Sequence, residues 1–551
     1  MLGAGAAGMT AAFVAAVKGL RVLLLESTEQ VGGTSSRSAG TLWIPGNFSM
    51  TDEEARADIE QARIYLDAVV GEESLPLMRA QFLRHAAQMV AFLQQHSQVQ
   101  FQACPRHTDY WPQISGARAG GRPVEARVFD GRELGAAFDL LRPTTPEFMV
   151  FGGMMVSKAD VDKLLKVRQS AANLRHATSL VMRYMTDRLS GYSRGTRLTM
   201  GNALCGRLLK SVIDVGVVVR VSCEVTRIES VSSTEHKLAI DSPTGTEVVR
   251  ALAGVVFAGG GFSANADWRH RLMPAPTPDN TAGSPGVQAS TMEMALHLGG
   301  TLGAGSEHNA WWFPSSVVCR DDRSTGVFPH IVLDRAKPGL IAVDRRGRRF
   351  VNEGINYHQF CVAQYRHDAV PCWFICDARF LRRYGMGAVR PGGRSTKDWI
   401  RRGYLKSAAT LDQLAVDLGI NGDGLKECIG RMNDYAKSGK DLEFGKGDDG
   451  VSRQNGDPSH GPNPCLGPIA VPPFYAVEVA PADLGTSLGL MVNEFGQLLN
   501  EHGVAIQGLY ACGNDMHSIM GGRYPAPGVT LGPGMTFAYL AALHIARQTA
   551  M

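Results

Sequence analysis

The chain has 551 residues, of which 44% are hydrophobic and 20% charged, and this length suggests two or three domains or one large domain with a long insertion. A formal net charge of +4 gives no reason to expect nucleic acid or an acidic membrane surface as a partner. No apolar run reaches the roughly 18 residues that a membrane span needs, and the ten cysteines form no CxxC pair, so we expect a cytoplasmic protein without a metal site or a disulfide framework.

A glycine-rich turn opens the chain. Residues 3–8 fit the pattern GxGxxG and run into an Ala-rich, helix-favouring segment at 9–18, and a short strand at 22–25 ends on an acidic residue. In such a βαβ unit the glycines let the turn approach a pyrophosphate, the helix N-terminus supplies N–H groups, and the acid binds the ribose hydroxyls. The pattern therefore predicts a dinucleotide site whose cofactor contacts are Gly3, Gly5, Ala6, Ala7, Gly8, Glu26 and Ser27.

The strand that should precede this turn is reduced to Met1 and Leu2. In a dinucleotide-binding domain this strand lies centrally in the parallel sheet. Two interpretations stay open: the true start lies upstream, or the sheet lacks most of a core strand and the affinity for the cofactor suffers.

A second glycine-rich segment at 32–40 indicates which dinucleotide binds. Its hydroxyl side chains and backbone N–H groups suit a diphosphate and a flavin ring, although the same composition also fits a flexible Ser/Gly loop. A strand at 255–262 ends in glycines and allows a close approach to the adenosine half. Together they predict FAD, with further contacts from Gly32, Gly33, Thr34, Ser35, Ser38, Ala39, Gly40, Ala258, Gly259 and Gly260.

No second GxGxxG has a βαβ pattern of its own, so we expect no separate NAD(P)H domain. The electrons must then be exchanged with the substrate and with an external electron acceptor.

Five motifs in order resemble the fumarate reductase/3-ketosteroid dehydrogenase family of FAD-dependent flavoproteins. They are the two glycine segments and the stretches at 198–204, 347–353 and 508–533, and the likeness is greatest to 3-ketosteroid Δ1-dehydrogenase-like members. The resemblance implies an α/β fold: a discontinuous, Rossmann-like FAD-binding domain of the GR2 type at 1–263 and 486–551, with an inserted α+β catalytic or capping domain at 264–485.

The same resemblance adds cofactor positions and a mode of binding. The added positions are Val225, Asn352, Glu353, Gly513, Asn514, Gly528, Thr530 and Leu531. Family members with covalent flavin carry a histidine after the double glycine, and residues 32–47 contain none, so we predict non-covalent FAD.

Dehydrogenation next to a ketone needs donors to the carbonyl, a base for the α proton and a hydride acceptor. By resemblance, Tyr524 and the Gly528 N–H polarise the carbonyl, Tyr357 takes the proton, and Tyr110 stabilises the Tyr357 phenolate. Pro527 stands where the family usually has a small residue. Each tyrosine also fits a half-buried aromatic with a hydrogen-bonded hydroxyl.

Several interpretations of the function stay open. 3-Ketosteroid Δ1-dehydrogenation agrees best, ahead of dehydrogenation or reduction of another bulky cyclic ketone or enone. Fumarate-type reduction needs a cluster of arginines and histidines, which the C-terminal segment does not show, since Arg523 and His517 fit local hydrogen bonding. A non-enzymatic flavin-binding protein agrees least.

The sequence also allows structural expectations for two other segments. Residues 311–314, Trp-Trp-Phe-Pro, either line an apolar cavity for a steroid-sized substrate or belong to the core. Residues 440–464, rich in Gly, Asp and Asn, predict an exposed loop.

Overall fold

The computed structural model describes residues 1–165, 167, 170–392 and 396–550. The chain divides into two compact units: unit 1 comprises Met1–Arg269, Gly283–Asn309 and Gly485–Met551, and unit 2 comprises His270–Ala282 and Ala310–Leu484. The sequence placed Gly283–Asn309 in the inserted domain. In the structure this segment packs with unit 1, where Arg37 donates to the Gly283 carbonyl at 2.7 Å and Thr34 Oγ1 accepts the Ser284 N–H at 3.0 Å.

The bounds of the regular elements are as follows. The α-helices are α1 Ala6–Val17, α2 Asp52–Val70, α3 Pro76–His96, α4 Lys158–Leu165, α5 Ala171–Leu189, α6 Met200–Asp214, α7 Ala266–Leu272, α8 Ser290–His297, α9 Tyr357–Arg366, α10 Ala378–Tyr384, α11 Thr396–Arg401, α12 Leu411–Leu418, α13 Gly422–Ser438, α14 Gly450–Asn455 and α15 Leu531–Ala550. The strands are β1 Leu23–Leu25, β2 Thr41–Trp43, β3 Phe101–Ala103, β4 Pro123–Ala126, β5 Phe129–Asp130, β6 Met149–Val150, β7 Met154–Met155, β8 Arg197–Leu198, β9 Val218–Arg220, β10 Glu224–Ser230, β11 His236–Ser242, β12 Gly245–Ala251, β13 Val255–Phe257, β14 Ala310–Cys319, β15 Thr325–Pro329, β16 Leu340–Val343, β17 Cys372–Asp377, β18 Lys406–Ala408, β19 Phe474–Thr486, β20 Gln497–Leu499 and β21 Ala505–Ala511.

The central sheet of unit 1 is joined through a single residue. Leu2 forms parallel bridges to Leu25 of β1 and to Phe257 of β13, and the strand order is β9–β1–Leu2–β13–β21–β20. Its N–H donates to the Val256 carbonyl at 2.9 Å and its carbonyl accepts the Ala258 N–H at 2.8 Å. The short segment before the glycine turn therefore occupies the central position that the βαβ pattern requires.

Helix α1 is the buried helix that the Ala-rich segment predicts. It begins at Ala6, directly after Gly5, and packs against α6 and α15. Small residues allow this close packing, since Ala11 of α1 shares a core cluster with Ala538 and Ala541 of α15. Helix and sheet together present the carboxyl ends of β1 and β13 at one edge, which is where ligands bind in α/β folds.

Unit 2 is built on a sheet in the order β15–β14–β19–β17–β16, with β18 beside β19. Trp311, Trp312 and Phe313 lie on β14 and are each at most 2% exposed. Trp312 packs edge-on against Tyr365, with ring centroids 5.5 Å apart. Of the two interpretations of this aromatic cluster, the structure favours core packing within unit 2.

A cluster of buried charges anchors the segment that the sequence predicts as an exposed loop, so that prediction was only partly right: Leu442 and Asp448 are exposed, but other residues are buried. Arg349 pairs with Glu353 at 2.8 Å and with Asp441 at 2.8 Å, and Lys446 pairs with Glu353 at 3.3 Å. Asp441 and Lys446 are buried, and the segment also forms α14. Burial alone would raise the pKa of Glu353, but Arg349 and Lys446 outweigh it and lower that pKa.

The described residues contain no helix long and apolar enough to cross a membrane. In the same part of the chain, no group of three histidine, cysteine or acidic residues has an arrangement suited to a metal ion. All ten cysteines are free thiols, and Cys319 is the exposed one.

We expect Lys446→Met to lower the free energy of unfolding by about 3–5 kcal/mol, because it leaves two buried carboxylates, Glu353 and Asp441, with Arg349 as their one buried cationic partner in this cluster. The Leu340 carbonyl, which accepts from Lys446 Nζ at 2.7 Å, would also lose its donor. Guanidinium unfolding measures the loss. The matched control is Lys437→Met, which removes an exposed ion pair to Asp434 and should leave the unfolding midpoint unchanged. Equal midpoints for the two variants would contradict the prediction.

Candidate functional site

The glycine turn of unit 1 combines two kinds of glycine. Gly3 has φ +100°, and a Cβ there would collide with the Ala258 carbonyl, while a Cβ at Gly8 would collide with the Gly3 carbonyl. These two glycines bring strand, helix and neighbouring strand into direct contact. Gly5 differs, since a Cβ there would meet only Ser35 Oγ, at 3.7 Å. The space beside Gly5 is therefore open.

The second glycine segment lies opposite this opening. Gly32 donates its N–H to the Ala4 carbonyl at 2.8 Å, and Ser35 Oγ accepts the Ala6 N–H at 3.2 Å. A Cβ at Gly33 would have only the Gly5 Cα nearby, at 3.8 Å. The first N–H groups of α1 have no acceptor within the helix and carry the positive end of its dipole. This cradle fits the diphosphate of the predicted FAD.

The Ser/Gly segment is anchored rather than loose. Ser38 accepts the Gly201 N–H on its carbonyl at 3.0 Å, and its hydroxyl accepts the Gly40 N–H at 3.0 Å. A Cβ at Gly40 would collide with the backbone of Gly201, the second residue of α6. The motif at 198–204 thus holds Ser38, Ala39 and Gly40 beside the cradle.

Glu26 directly follows β1, as predicted, and it is buried. One oxygen accepts the Ala4 N–H at 3.0 Å, and the other accepts the Thr28 N–H at 3.1 Å and the Thr28 hydroxyl at 2.8 Å. A carboxylate has about four acceptor positions, so it retains capacity for a ribose hydroxyl. Ser27 lies beside it in the chain.

Asp515 is a functional candidate that the sequence interpretation missed. Its carboxylate accepts the Gly259 N–H at 2.7 Å and the Gly261 N–H at 2.8 Å, which fixes the glycine segment after β13. Burial raises the pKa of Asp515, against the lowering effect of the Gly261 N–H. The sequence feature that could have indicated Asp515 is its position directly after the predicted cofactor residues Gly513 and Asn514. The backbone N–H groups that Asp515 binds belong to a segment far away in the chain, so the structure is needed to identify them.

The C-terminal glycines close this side of the site. A Cβ at Gly513 would lie 3.2 Å from the Ala7 side chain, and one at Gly534 would lie 3.1 Å from the Gly513 Cα. Gly513 therefore lets α1 and α15 approach each other. Thr530 and Leu531 stand at the start of α15, where N–H groups lack acceptors in the helix.

Tyr524 and Tyr110 come together in unit 1. The rings of Tyr110 and Tyr524 are stacked with centroids 6.0 Å apart and planes 21° apart, and Tyr524 is 5% exposed. Tyr110 donates its N–H to the Pro525 carbonyl at 2.8 Å. Two of the three tyrosines that the resemblance selected, Tyr110 and Tyr524, thus form one pair.

Gly528, four residues after Tyr524, offers a backbone donor. It has φ +93°, and a Cβ would lie 2.6 Å from the Leu42 carbonyl carbon and from the Trp43 nitrogen, so only glycine fits. Its carbonyl accepts the Trp43 N–H at 3.1 Å. Its own N–H is buried and donates to no acceptor among the residues that the structure describes. Pro527 leaves this donor intact.

A buried network supports the tyrosine segment and was not foreseen. Asp109 accepts the indole N–H of Trp43 at 2.8 Å and Arg122 Nη1 at 2.6 Å. Arg122 also donates from Nε to Asp58 at 2.9 Å. Burial raises the pKa of Asp109, while Arg122 opposes that rise. Because Trp43 contacts both Asp109 and Gly528, the network links the Tyr110 segment to the Gly528 turn.

Tyr357 lies in unit 2, as the first residue of α9, and is 8% exposed. The side chain of Asn356 caps this helix by accepting the Gln359 N–H at 2.9 Å. The positive end of the helix dipole favours negative charge at this position. That Tyr357 acts as a base, and that Tyr110 assists it, stay predictions.

Three other predicted cofactor positions also stay untested. Glu353 belongs to the buried ion cluster of unit 2, and the Asn352 side chain accepts the Gly354 N–H at 2.8 Å, so both side chains are engaged within that unit. Val225 lies in unit 1 on β10, opposite Ile240 of β11.

Comparisons with known proteins agree with this geometry. The family model described as "FAD binding domain" matches residues 1–531. The 3-oxosteroid 1-dehydrogenase of Mycobacterium tuberculosis is 33% identical over 100% of this chain and 98% of its own length. The 4-oxocyclohex-2-ene-1-carboxylate 5-dehydrogenase of Sinomonas cyclohexanicum is also 33% identical, over 99% of this chain and 93% of its own.

Solved structures also match this chain. The 3-ketosteroid Δ1-dehydrogenase from Sterolibacterium denitrificans, in complex with 1,4-androstadiene-3,17-dione, superposes with a TM-score of 0.91 at 31% identity and covers 99% of this chain and 98% of its own. A flavocytochrome c3 fumarate reductase at 18% identity and a TM-score of 0.61 shares the fold. The matches confirm the predicted fold class, an FAD-binding α/β domain with an inserted domain, and they confirm FAD as the cofactor.

We expect Gly5→Ala to weaken FAD binding about ten- to a hundredfold while the apoprotein keeps its melting temperature. The methyl group would enter open space in the folded chain but overlap the bound diphosphate, and such overpacking costs about 1–3 kcal/mol. Titration of apoprotein with FAD measures the affinity. The control is Gly430→Ala, which adds a methyl group in open space on α13 and should leave FAD affinity unchanged. Unaltered affinity in Gly5→Ala would place the diphosphate elsewhere.

Proposed function

The chain belongs to the fumarate reductase/3-ketosteroid dehydrogenase family of FAD-binding flavoproteins, and on that premise we propose that it dehydrogenates the C–C bond next to the ketone of a 3-keto steroid, in the manner of a 3-ketosteroid Δ1-dehydrogenase. It is a flavin-dependent oxidoreductase acting on CH–CH groups. The observation that carries the proposed ketone chemistry is the buried Gly528 N–H, a donor without a described acceptor, four residues after Tyr524, whose ring is stacked on that of Tyr110.

In this proposal the residues of the chain polarise the ketone and move a proton. Tyr524 Oη and the Gly528 N–H donate to the carbonyl oxygen and stabilise the negative charge that develops there. The adjacent C–H becomes acidic, and Tyr357 as phenolate takes its proton, helped by the positive end of α9. When bound, FAD supplies the acceptor for the hydride from the β carbon. An external acceptor would then take the electrons.

A smaller cyclic ketone is a second candidate, because the Sinomonas relative named for 4-oxocyclohex-2-ene-1-carboxylate is as similar to this chain as the M. tuberculosis relative. Both substrates present a ring ketone to the same donors. Fumarate-type reduction lacks such support, since Arg523 is paired with Glu73 at 2.7 Å and burial lowers the pKa of His517.

The test is the anaerobic visible spectrum of the FAD-loaded protein before and after addition of 4-androstene-3,17-dione. We expect the oxidised flavin band near roughly 450 nm to bleach. Tyr524→Phe should slow the bleaching about a hundredfold or more, as loss of one oxyanion donor does, and retain FAD. Bleaching by 4-oxocyclohex-2-ene-1-carboxylate alone would favour the second candidate, and reoxidation by fumarate with no effect of Tyr524→Phe would contradict both.

We further propose that FAD is held without a covalent bond, since residues 32–47 contain no histidine. Acid precipitation of the yellow protein should leave all the flavin in the supernatant. Flavin that stays with the precipitate after washing would contradict this.

A further inference from the structure

We propose that the buried hydroxyl of Tyr65 is a positioning group that holds together the two segments carrying Tyr110 and Tyr524. The inference rests on the proposed function, in which these tyrosines serve the ketone. Tyr65 is 0% exposed, so it acts through its neighbours and does not touch the substrate.

The hydroxyl lies at the junction of the two segments. It donates to the Pro525 carbonyl at 2.7 Å, directly after Tyr524, and accepts the Trp111 N–H at 3.2 Å, directly after Tyr110. The Pro525 carbonyl also accepts the Tyr110 N–H at 2.8 Å. One hydroxyl and one carbonyl thus join both segments, and the stacked geometry of the tyrosine rings depends on this junction.

Helix α2 presents Tyr65 to these segments for reasons visible in its sequence. A capping box of Thr51 and Glu54 begins the helix. The buried face recurs every three or four residues: Asp58, Ala62, Tyr65 and Leu66. Asp58 accepts Arg122 Nε at 2.9 Å, and a Cβ at Gly116 would collide with the Gln61 carbonyl. The loop that carries Tyr110 is therefore seated on the same face of α2.

Tyr65 stays a neutral donor. Burial, and next the Asp109 carboxylate nearby, raise its pKa. Since it does not titrate in the range of an enzyme assay, its contribution is geometric. A Tyr65 variant should change how strongly the carbonyl is polarised and leave the pH dependence of the rate as it was.

The variant is Tyr65→Phe in the FAD-loaded enzyme. We expect kcat for 4-androstene-3,17-dione to fall about ten- to a hundredfold, because small misplacements of a donor set have effects of this size. KM and the pH profile of kcat should change little. The C=O stretching frequency of bound 1,4-androstadiene-3,17-dione, measured by Raman difference spectroscopy, should move toward its value in water, since Tyr524 and Gly528 would polarise the carbonyl less.

Tyr404→Phe is the matched control. Its hydroxyl also accepts a backbone N–H, from Ala388 at 2.9 Å, and bonds Ser316 Oγ at 2.7 Å, but it lies in unit 2. It should keep the wild-type kcat and carbonyl frequency. A Tyr65→Phe enzyme with the wild-type carbonyl frequency overturns the proposal, even where its stability is lower.

Two further results keep the proposals separate. If Tyr524→Phe itself leaves kcat and the carbonyl frequency unchanged, the proposed function fails, whatever Tyr65→Phe does. If Tyr65→Phe does not fold, Gly116→Ala replaces it, because the added methyl group would push the Tyr110 loop away from Gln61 and lengthen the bond from Trp111 to Tyr65. The same frequency change is then expected, and a wild-type frequency overturns the positioning role.

Discussion

Unit 1 depends on direct contact of backbone with backbone at the edge of its central sheet. Gly3 lies against the Ala258 carbonyl, and Gly8 lies against Gly3, at distances that no Cβ could share. Because these contacts set where α1 starts, they also decide where its N–H groups point, which is toward the open space at Gly5. Gly528 likewise lies against the Trp43 backbone at a distance that no Cβ could share, and its own N–H is buried without a described acceptor. The open space at Gly5 and the buried Gly528 N–H thus follow from the same steric requirement for glycine.

Buried charge provides the second constraint, and it serves position more than stability. Arg122 lies between Asp58 and Asp109, all three nearly inaccessible to water. A buried pair of this kind gains little over apolar packing, yet it is costly to break. Three segments distant in the chain, helix α2, the Tyr110 loop and the strand with Trp43, are held in one arrangement by it. Tyr65 completes this arrangement with neutral hydrogen bonds.

The sequence predicts those features that are encoded locally. The GxGxxG turn, the helix after it and the acid at Glu26 follow from spacing, and the structure places them as expected. Features that rest on distant pairing were missed: Tyr65 bonds a residue 460 positions away, and Asp515 bonds Gly259 across 256. Composition also gave a wrong expectation of exposure for Lys446. The glycines and aspartates around it are typical of exposed loops, but Lys446 is buried in an ion cluster with Glu353.

The charge balance around the tyrosine pair bears on which substrates fit. Arg523 points to Glu73, and Arg122 is bound by two carboxylates, so these arginines are already compensated within the chain. Binding a dicarboxylate requires cations whose partner is the substrate, since a desolvated carboxylate without one costs several kcal/mol. A ketone requires only neutral donors, and a tyrosine hydroxyl and a glycine N–H are of that kind. The same argument favours an uncharged steroid ring over a ring ketone that bears a carboxylate, because the latter would bring a negative charge to a site whose neighbouring cations are paired.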